Sequence, residues 1–366
     1  VNYRKVTIHP AESIAAAGTK TIDITGNDVI SRILVKYIIT KGVAGHTMAA
    51  PLAADITKIE LVDGSDVLFS LTGYEAQALN IYDRKCGTMN FGQQMASCMG
   101  ESFYGLDFGR YLFDPMLGLD PKRFRNLQLK ISYTLVGSDT TCTAAILEVF
   151  SDNFDEKGVS PIGFLMSKEH YSYTCGADGS FEYIDLPTDH PLRKLLLRAY
   201  TDAREPEYTI ESVRLDEDNL KRIPIDITLK KYIDMMMGEW TPVEELFSCI
   251  VTDTAGGART YYMTPTNEFP SIAGFGTPGT LVLGSPSGWM RGGKVVLISE
   301  TGGQNIYGIV HGFCPNHCIE FPFGNPQDID DWYDITKINA LKLRLEAAGS
   351  GTSGKAQVVL QQLRKY

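Results

Sequence analysis

The feature that most constrains this chain is an internal repeat, in which four segments recur in the same order with their apolar, charged and turn residues in the same places. IDITGNDVISRILVK, residues 22–36, lies without gaps on IDLPTDHPLRKLLLR, residues 184–198. Ile22-Asp23 then falls on Ile184-Asp185, Arg32 on Lys194, and Ile33-Leu34-Val35-Lys36 on Leu195-Leu196-Leu197-Arg198. ITKIELVD, with Ile56, Ile59, Leu61 and Asp63, falls on IESVRLDE, with Ile210, Val213, Leu215 and Glu217. The alternating run Val67, Phe69, Leu71 that follows corresponds to Ile223, Ile225, Ile227. It ends in each copy on a threonine, Thr72 or Thr228, placed to cap the helical stretch that comes next. Last, NLQLKISYTL followed by AAILEVF corresponds to ALKLRLEAAG followed by AQVVLQQL. Any one amphipathic strand resembles another, because a half-buried strand has to alternate. Four of them in one order, with the strand-to-helix switch at the same point, indicate a duplicated unit.

Each copy shows strands of about 5 to 8 residues between turn signals and one helix of about three turns, without the regular succession of helices and strands that a parallel α/β sheet requires. At about 150 residues per copy, with long excursions between strands, the expected fold is all-β: two tandem eight-stranded jelly rolls, each with a short helix. The boundary is expected in SDNFDEKGVSP, giving a first roll over 1–155 and a second over 156–366. The copies are offset by about 155 to 160 residues early and about 214 late, so the second holds about 55 extra residues, expected as enlarged loops with hairpins over about 240–330. Of the two helices, YEAQALNIYDRKC offers Ala78, Leu79 and Tyr82 for packing, and TLKKYIDMMMGEW offers Tyr232, Ile233 and the run Met235-Met236-Met237, a face suited to contact between copies or subunits.

Charge and cysteine usage narrow the function. A formal charge of −10 is the wrong sign for a surface that neutralises phosphates, so direct nucleic-acid binding is not expected. Seven cysteines, single apart from Cys314 and Cys318, do not make a disulfide framework and read as reduced thiols of a chain folded in a cytosol. No apolar stretch approaches the roughly 18 residues of a membrane span, and the first residues do not read as a signal peptide.

Motifs that carry chemistry fail on context. GFGTPG, residues 274–279, has the letters of a dinucleotide loop but contains Pro278 and precedes a strand. GWMRGGKV, residues 288–295, has Val295 where a phosphate loop needs a hydroxyl. GSPSG, residues 284–288, places Pro286 where a nucleophile elbow needs serine. No HxH pair of a two-cupin metal site occurs. His311, Cys314, His317 and Cys318 in HGFCPNHC are the only clustered nitrogen and sulfur donors; they are candidate zinc ligands, with a structural turn at Pro315-Asn316 as the competing reading. Asp328, Asp330, Asp331 and Asp334 lack the glycine and closing glutamate of a calcium loop and read as a solvated run. No catalytic residue, cofactor or resident metal is assigned.

TKIELVDGSDVLFSLTGYEAQALNIYDR, residues 57–84, and LKLRLEAAGSGTSGKAQVVLQQLRKY, residues 341–366, set in a tandem pair of rolls, resemble the double jelly-roll major capsid proteins of tailless icosahedral viruses, bacteriophages with an internal membrane among them. The resemblance implies a coat protein, not an enzyme, acting in the virion after assembly in the host cytoplasm. It implies homotrimers whose six rolls imitate a hexagonal tile, neighbouring capsomers and penton proteins as partners, loops of 240–330 rising as a turret, and an inward N-terminus whose Arg4 and Lys5 would meet lipid headgroups. Two other readings compete. A virion spike or receptor-binding protein would display Tyr261, Tyr262 and Trp289 as a platform, and a two-domain β-sandwich hydrolase, an amidase or glycosidase, would hold two close carboxylates in the cleft between rolls.

Overall fold

The computed structural model describes residues 2–366 apart from 43–47, 93–96, 156–157, 252–257, 268, 277–279, 282–286, 299–303, 350 and 352. The first half folds as β1 (Tyr3–Ile14), β2 (Gly18–Asp23), β3 (Ile30–Thr40), β4 (Ile56–Asp63) and β5 (Asp66–Leu71), then α1 (Gly73–Arg84). It continues with a short β6 (Asn90–Gly92), β7 (Met99–Asp107), β8 (Leu127–Tyr133) and β9 (Ala144–Phe154). The second half gives β10 (Gly163–Thr174), β11 (Phe181–Leu186), β12 (Leu192–Tyr200), β13 (Ile210–Glu217), β14 (Arg222–Thr228) and α2 (Leu229–Glu239). An excursion then carries β15 (Val243–Val251), β16 (Ala258–Tyr262), β17 (Phe269–Gly276), β18 (Thr280–Leu281), β19 (Ser287–Arg291), β20 (Lys294–Ile298) and β21 (Gln304–Gly312). The chain closes with β22 (Cys318–Pro322), β23 (Leu341–Ala347) and β24 (Lys355–Lys365).

The two halves have one topology. In the first, β1-β9-β3-β7 faces β2-β8-β4-β5; in the second, β10-β24-β12-β22 and β11-β23-β13-β14 repeat that order strand for strand. This is the eight-stranded jelly roll twice over, and each of the four repeated sequence segments occupies equivalent strands. Alternation drives it: in β8 Leu127, Leu129 and Ile131 point into the core, as do Leu341, Leu343 and Leu345 in β23.

Both copies switch to a helix after the equivalent strand, and the threonine is the N-cap residue in each, in the first copy as a capping box with Glu75. The Thr72 N–H donates to Glu75 Oε2 at 2.8 Å, and Thr228 makes no side-chain cap hydrogen bond. The excursion lies between α2 and β22, where the first roll has only β6 and its flanks. It is shorter at its far end than 240–330, because Cys318–Pro322 is a roll strand paired with β12. Five residues, CIEFP, are too few for alternation to reveal a strand by pattern. Arg4 and Lys5 belong to β1, which pairs with β9, and their side chains meet Asp28 and Asp152, so they do not form a free arm. Among the described residues no helix is long and apolar enough to cross a membrane.

Candidate assembly surfaces

Where the rolls meet, β5 and β10 run parallel with Ser70 opposite Lys168, joining one sheet of each roll into a single eight-stranded sheet. At the start of β5, Asp66 accepts both arms of the Arg364 guanidinium from β24, with Oδ1 at 3.0 Å. That hydrogen bond holds the Asp66 carboxyl below its ordinary range.

The second element of the junction is α1, which lies between the rolls: Asn80 and Arg84 bond Gly105 and Asp107 of β7 in its own roll, and its other side covers the outer face of β12 and β22. Nine of its residues are buried. Its last turn brings Asp83 Oδ1 to 2.8 Å from Arg193 Nη1 and 2.6 Å from Lys194 Nζ, and Lys194 also donates to Glu320 Oε2 at 2.6 Å. All four side chains are nearly sealed from solvent. Burial opposes ionisation of Asp83, but the two cations overcome it and hold the carboxyl down at about 2. Beside it, the Tyr82 hydroxyl lies 2.7 Å from the Cys318 carbonyl oxygen and 3.1 Å from that of Phe313. At the helix start, Tyr74 stacks under the Arg198 guanidinium at 4.1 Å. Lys194, Leu196 and Arg198 thus form the covered outer face of β12.

Their repeat counterparts are not covered in the same way. Arg32, Leu34 and Lys36 line the outer face of β3 and are only half-buried, Arg32 on Asp152 and Leu34 against the cluster that includes Ile81 of α1, next to Ile146, which is exposed on β9. α2, the counterpart of α1, buries only Leu229, Ile233 and Met236 and presents Met235 and Met237 to solvent. β14 and β1, the counterparts of β5 and β10, are both sheet edges. A depression of about 800 Å³ beside β14 and α2, lined by Ile225, Tyr232, Phe321 and Trp332 among others, marks the flank that in the first roll is filled by the second. Unpaired edges and exposed apolar side chains such as Ile146, Met235 and Met237 are what a protein ordinarily protects, and their coincidence on these elements makes them candidate contact surfaces.

The residues singled out from sequence divide. His311 sits on β21 with Nδ1 3.1 Å from Glu244, while His317 lies edge-on to Tyr200 with Nε2 3.2 Å from the Arg204 carbonyl oxygen. Burial pushes the His317 imidazole down to about 3 and the Cys318 thiol up, the wrong form for a thiolate ligand. Cys314 and Cys318 are buried in the core, and among the described residues no set of three or more His, Cys, Asp or Glu is placed to hold a metal ion. The turn at Pro315-Asn316 is present, with Asn316 at φ 53°. Asp328 and Asp334 accept hydrogen bonds from nearby backbone N–H groups, as surface turns do. GWMRGGKV is the β19–β20 hairpin, with Gly292 and Gly293 at positive φ in its turn. Residues 277–279 of GFGTPG and 284–286 of GSPSG lie outside the described residues. Of the platform aromatics, Tyr261 is fully buried and Tyr262 bonds Asp202, which leaves Trp289 exposed. Two close buried carboxylates do lie between the rolls, Asp83 and Glu320, but Lys194 bridges them, so neither is available as an acid or base to a substrate. The junction residues escaped sequence reading. Their one local signal was LRKLLLRAY itself, in which Arg193, Lys194 and Arg198 put three cations in a strand apolar enough to be buried on both faces.

No family model matches the chain, and no curated protein matches its sequence. Solved structures do. The major capsid protein of STIV, the Sulfolobus turreted icosahedral virus, matches over 99% of this chain and 96% of its own, with TM-score 0.60 and 10% identity. The major capsid protein P2 of bacteriophage PM2 matches over 100% and 98%, with TM-score 0.56 and 9% identity. PBCV-1 VP54, in a structure fitted into a reconstruction of the virophage Sputnik, matches over 99% and 94%, with TM-score 0.58 and 10% identity. The chain therefore has the double jelly-roll fold of these capsid proteins.

Two outcomes test the junction. Asp83→Asn leaves Arg193 and Lys194 buried with less counter-charge and is expected to cost about 3–5 kcal/mol by denaturant titration; a loss below about 1 kcal/mol contradicts this account. Burial, then the Glu169 carboxylate, push Glu75 up to about 7 from 4.5, so its native state holds an extra proton between those values and stability falls as pH rises through that window. Glu75→Gln keeps an acceptor for the Thr72 N–H and removes the dependence. The melting temperature of the variant relative to the parent is expected to climb from pH 5 to pH 8, and a constant difference refutes the assignment.

Proposed function

We propose that this chain is a viral major capsid protein whose homotrimers form pseudo-hexagonal blocks that tile an icosahedral shell. The observation that carries the reading is the end-to-end correspondence of the fold with viral coat proteins, over 94% to 98% of those chains. In physical terms, one chain presents a head-to-tail contact already made once inside it and the two unmatched halves of the same contact outside it. Head-to-tail contacts either close into rings or run on as filaments, and two rolls in each of three chains close a ring of six. Such an obligate interface is expected to bury on the order of 2,000 Å² or more.

The rolls are taken as residues 1–155 and 156–366, with the excursion after α2 as the turret. Neighbouring capsomers and penton proteins are the further partners, in a virion assembled in the host cytoplasm. The role is structural and does not involve catalysis. The net charge of −10 suits a coat that leaves the genome to other components. Since Arg4 and Lys5 already have carboxylate partners, they offer little to a membrane beneath the shell.

Size-exclusion chromatography with mass measurement, followed by negative-stain imaging, tests the proposal on the purified chain. The expected species is a trimer of about 121 kDa, three times 40.4 kDa, with a hexagonal outline. A persistent 40.4 kDa monomer at high concentration overturns it.

A further inference from the structure

The junction inside the chain fixes which residues should meet between chains, because the repeat gives every junction residue a counterpart. Asp66 lies opposite Asp63 in the β4–β5 pair, as Arg222 lies opposite Glu217 in the β13–β14 pair, so Arg222 is the counterpart of Asp66. On the partner side, Gln361 faces Lys194 and Asp152 faces Arg32, the cations that lead the outer faces of β12 and β3. Three residues further along come Arg364 in β24 and, just past the end of β9, Asp155. The Asp66–Arg364 ion pair therefore maps onto Arg222 and Asp155, with both signs reversed. One reversal would set like charges together. Reversal of both preserves the attraction.

The helix contact maps in the same way. Asp83 stands eleven residues after the capping Thr72, and Glu239 stands eleven after Thr228. Asp83 binds Lys194, whose counterpart is Arg32. At the third contact, Tyr74 over Arg198, the repeat sets Lys230 opposite Lys36, and each of these already has its own carboxylate, Asp234 at 2.7 Å and Glu101 at 3.5 Å. Neither brings a bare charge.

We propose that a second copy of this chain docks by repeating the internal junction, with α2 of one copy lying on the outer face of β3 and β7 of the next, Arg222 meeting Asp155 and Glu239 meeting Arg32. The inference rests on the coat-protein reading and adds to it the surface, the direction and the pairs. β14 then runs alongside β1 as β5 runs alongside β10, with Asp226 near Val6 in place of Ser70 near Lys168, so that both open edges are consumed by one contact.

Charge exchange tests it at the exposed pair, since the Arg222 side chain is 67% exposed and Asp155 is also on the surface, so that neither substitution disturbs a core. Arg222→Asp and Asp155→Arg singly are expected to weaken trimer association about tenfold or more, read by mass photometry across a dilution series, while the two together in one chain restore it. Circular dichroism of the monomer fraction should be unchanged in all three variants, with melting lowered only by the lost Arg222–Glu217 pair in the two that carry Arg222→Asp. Trimers indifferent to the single exchanges, or not recovered in the double variant, overturn the docking inference while leaving the coat reading in place. A parent chain that never trimerises overturns both.

Discussion

The structure depends on one constraint, the placement of two cations where water cannot reach them. Arg193 and Lys194 sit in a strand buried on both faces, and an unpaired charge there would cost several kcal/mol. Asp83, from a helix that belongs to the other roll, supplies the counter-charge, and Glu320 shares it. The second roll is thereby tied to the helix of the first by chemistry that no nonspecific apolar contact would enforce. The parallel β5–β10 edge and the Asp66–Arg364 fork add direction to the same junction.

From that constraint follows an asymmetry. A duplicated module begins with two identical helices, two identical outer faces and two pairs of identical edges. Once α1 is spent on β12, β22 and its own β7, the Arg32 and Lys36 positions of β3, the helix α2 and the edges β1 and β14 remain. Sequence records the difference. Leu195, Leu196 and Leu197 make β12 apolar on both sides, while β3 keeps alternation, with Leu34 and Lys36 half-buried. α1 is rich in small and buried residues, whereas α2 carries Met235 and Met237 outward, adaptable side chains suited to a face that is bare in one state and covered in another. The excursion between α2 and β22 sits at the equivalent of the short β6 segment and can grow without disturbing either sheet.

Much of the fold was legible because it is written in local pattern. The alternation of Leu127, Leu129 and Ile131 against Leu341, Leu343 and Leu345 identified equivalent strands before any coordinates, and the strand-to-helix switch after Leu71 and Ile227 fixed their order. What escaped was whatever depends on distance along the chain. Asp83 and Lys194 are separated by 111 residues, and nothing near either names the other. The zinc candidates showed the opposite failure: His311, Cys314, His317 and Cys318 are close in sequence, but a strand end, a turn and a strand start send them to different surroundings. Capping was legible in part: Thr72 and Thr228 are the N-cap residues, while the reach of Glu75 back to the backbone of Thr72 has no equivalent at Thr228.

The claim at the centre is that one contact is used twice, once within a chain and once between chains. A cryo-EM reconstruction of the assembled block measures it directly, through the rotation that carries the first roll onto the second and the rotation that carries the second onto the first roll of the next chain. Both should be about 60° around a common axis with negligible translation along it. Two clearly different rotations, or a screw translation that leaves the ring open, would contradict it.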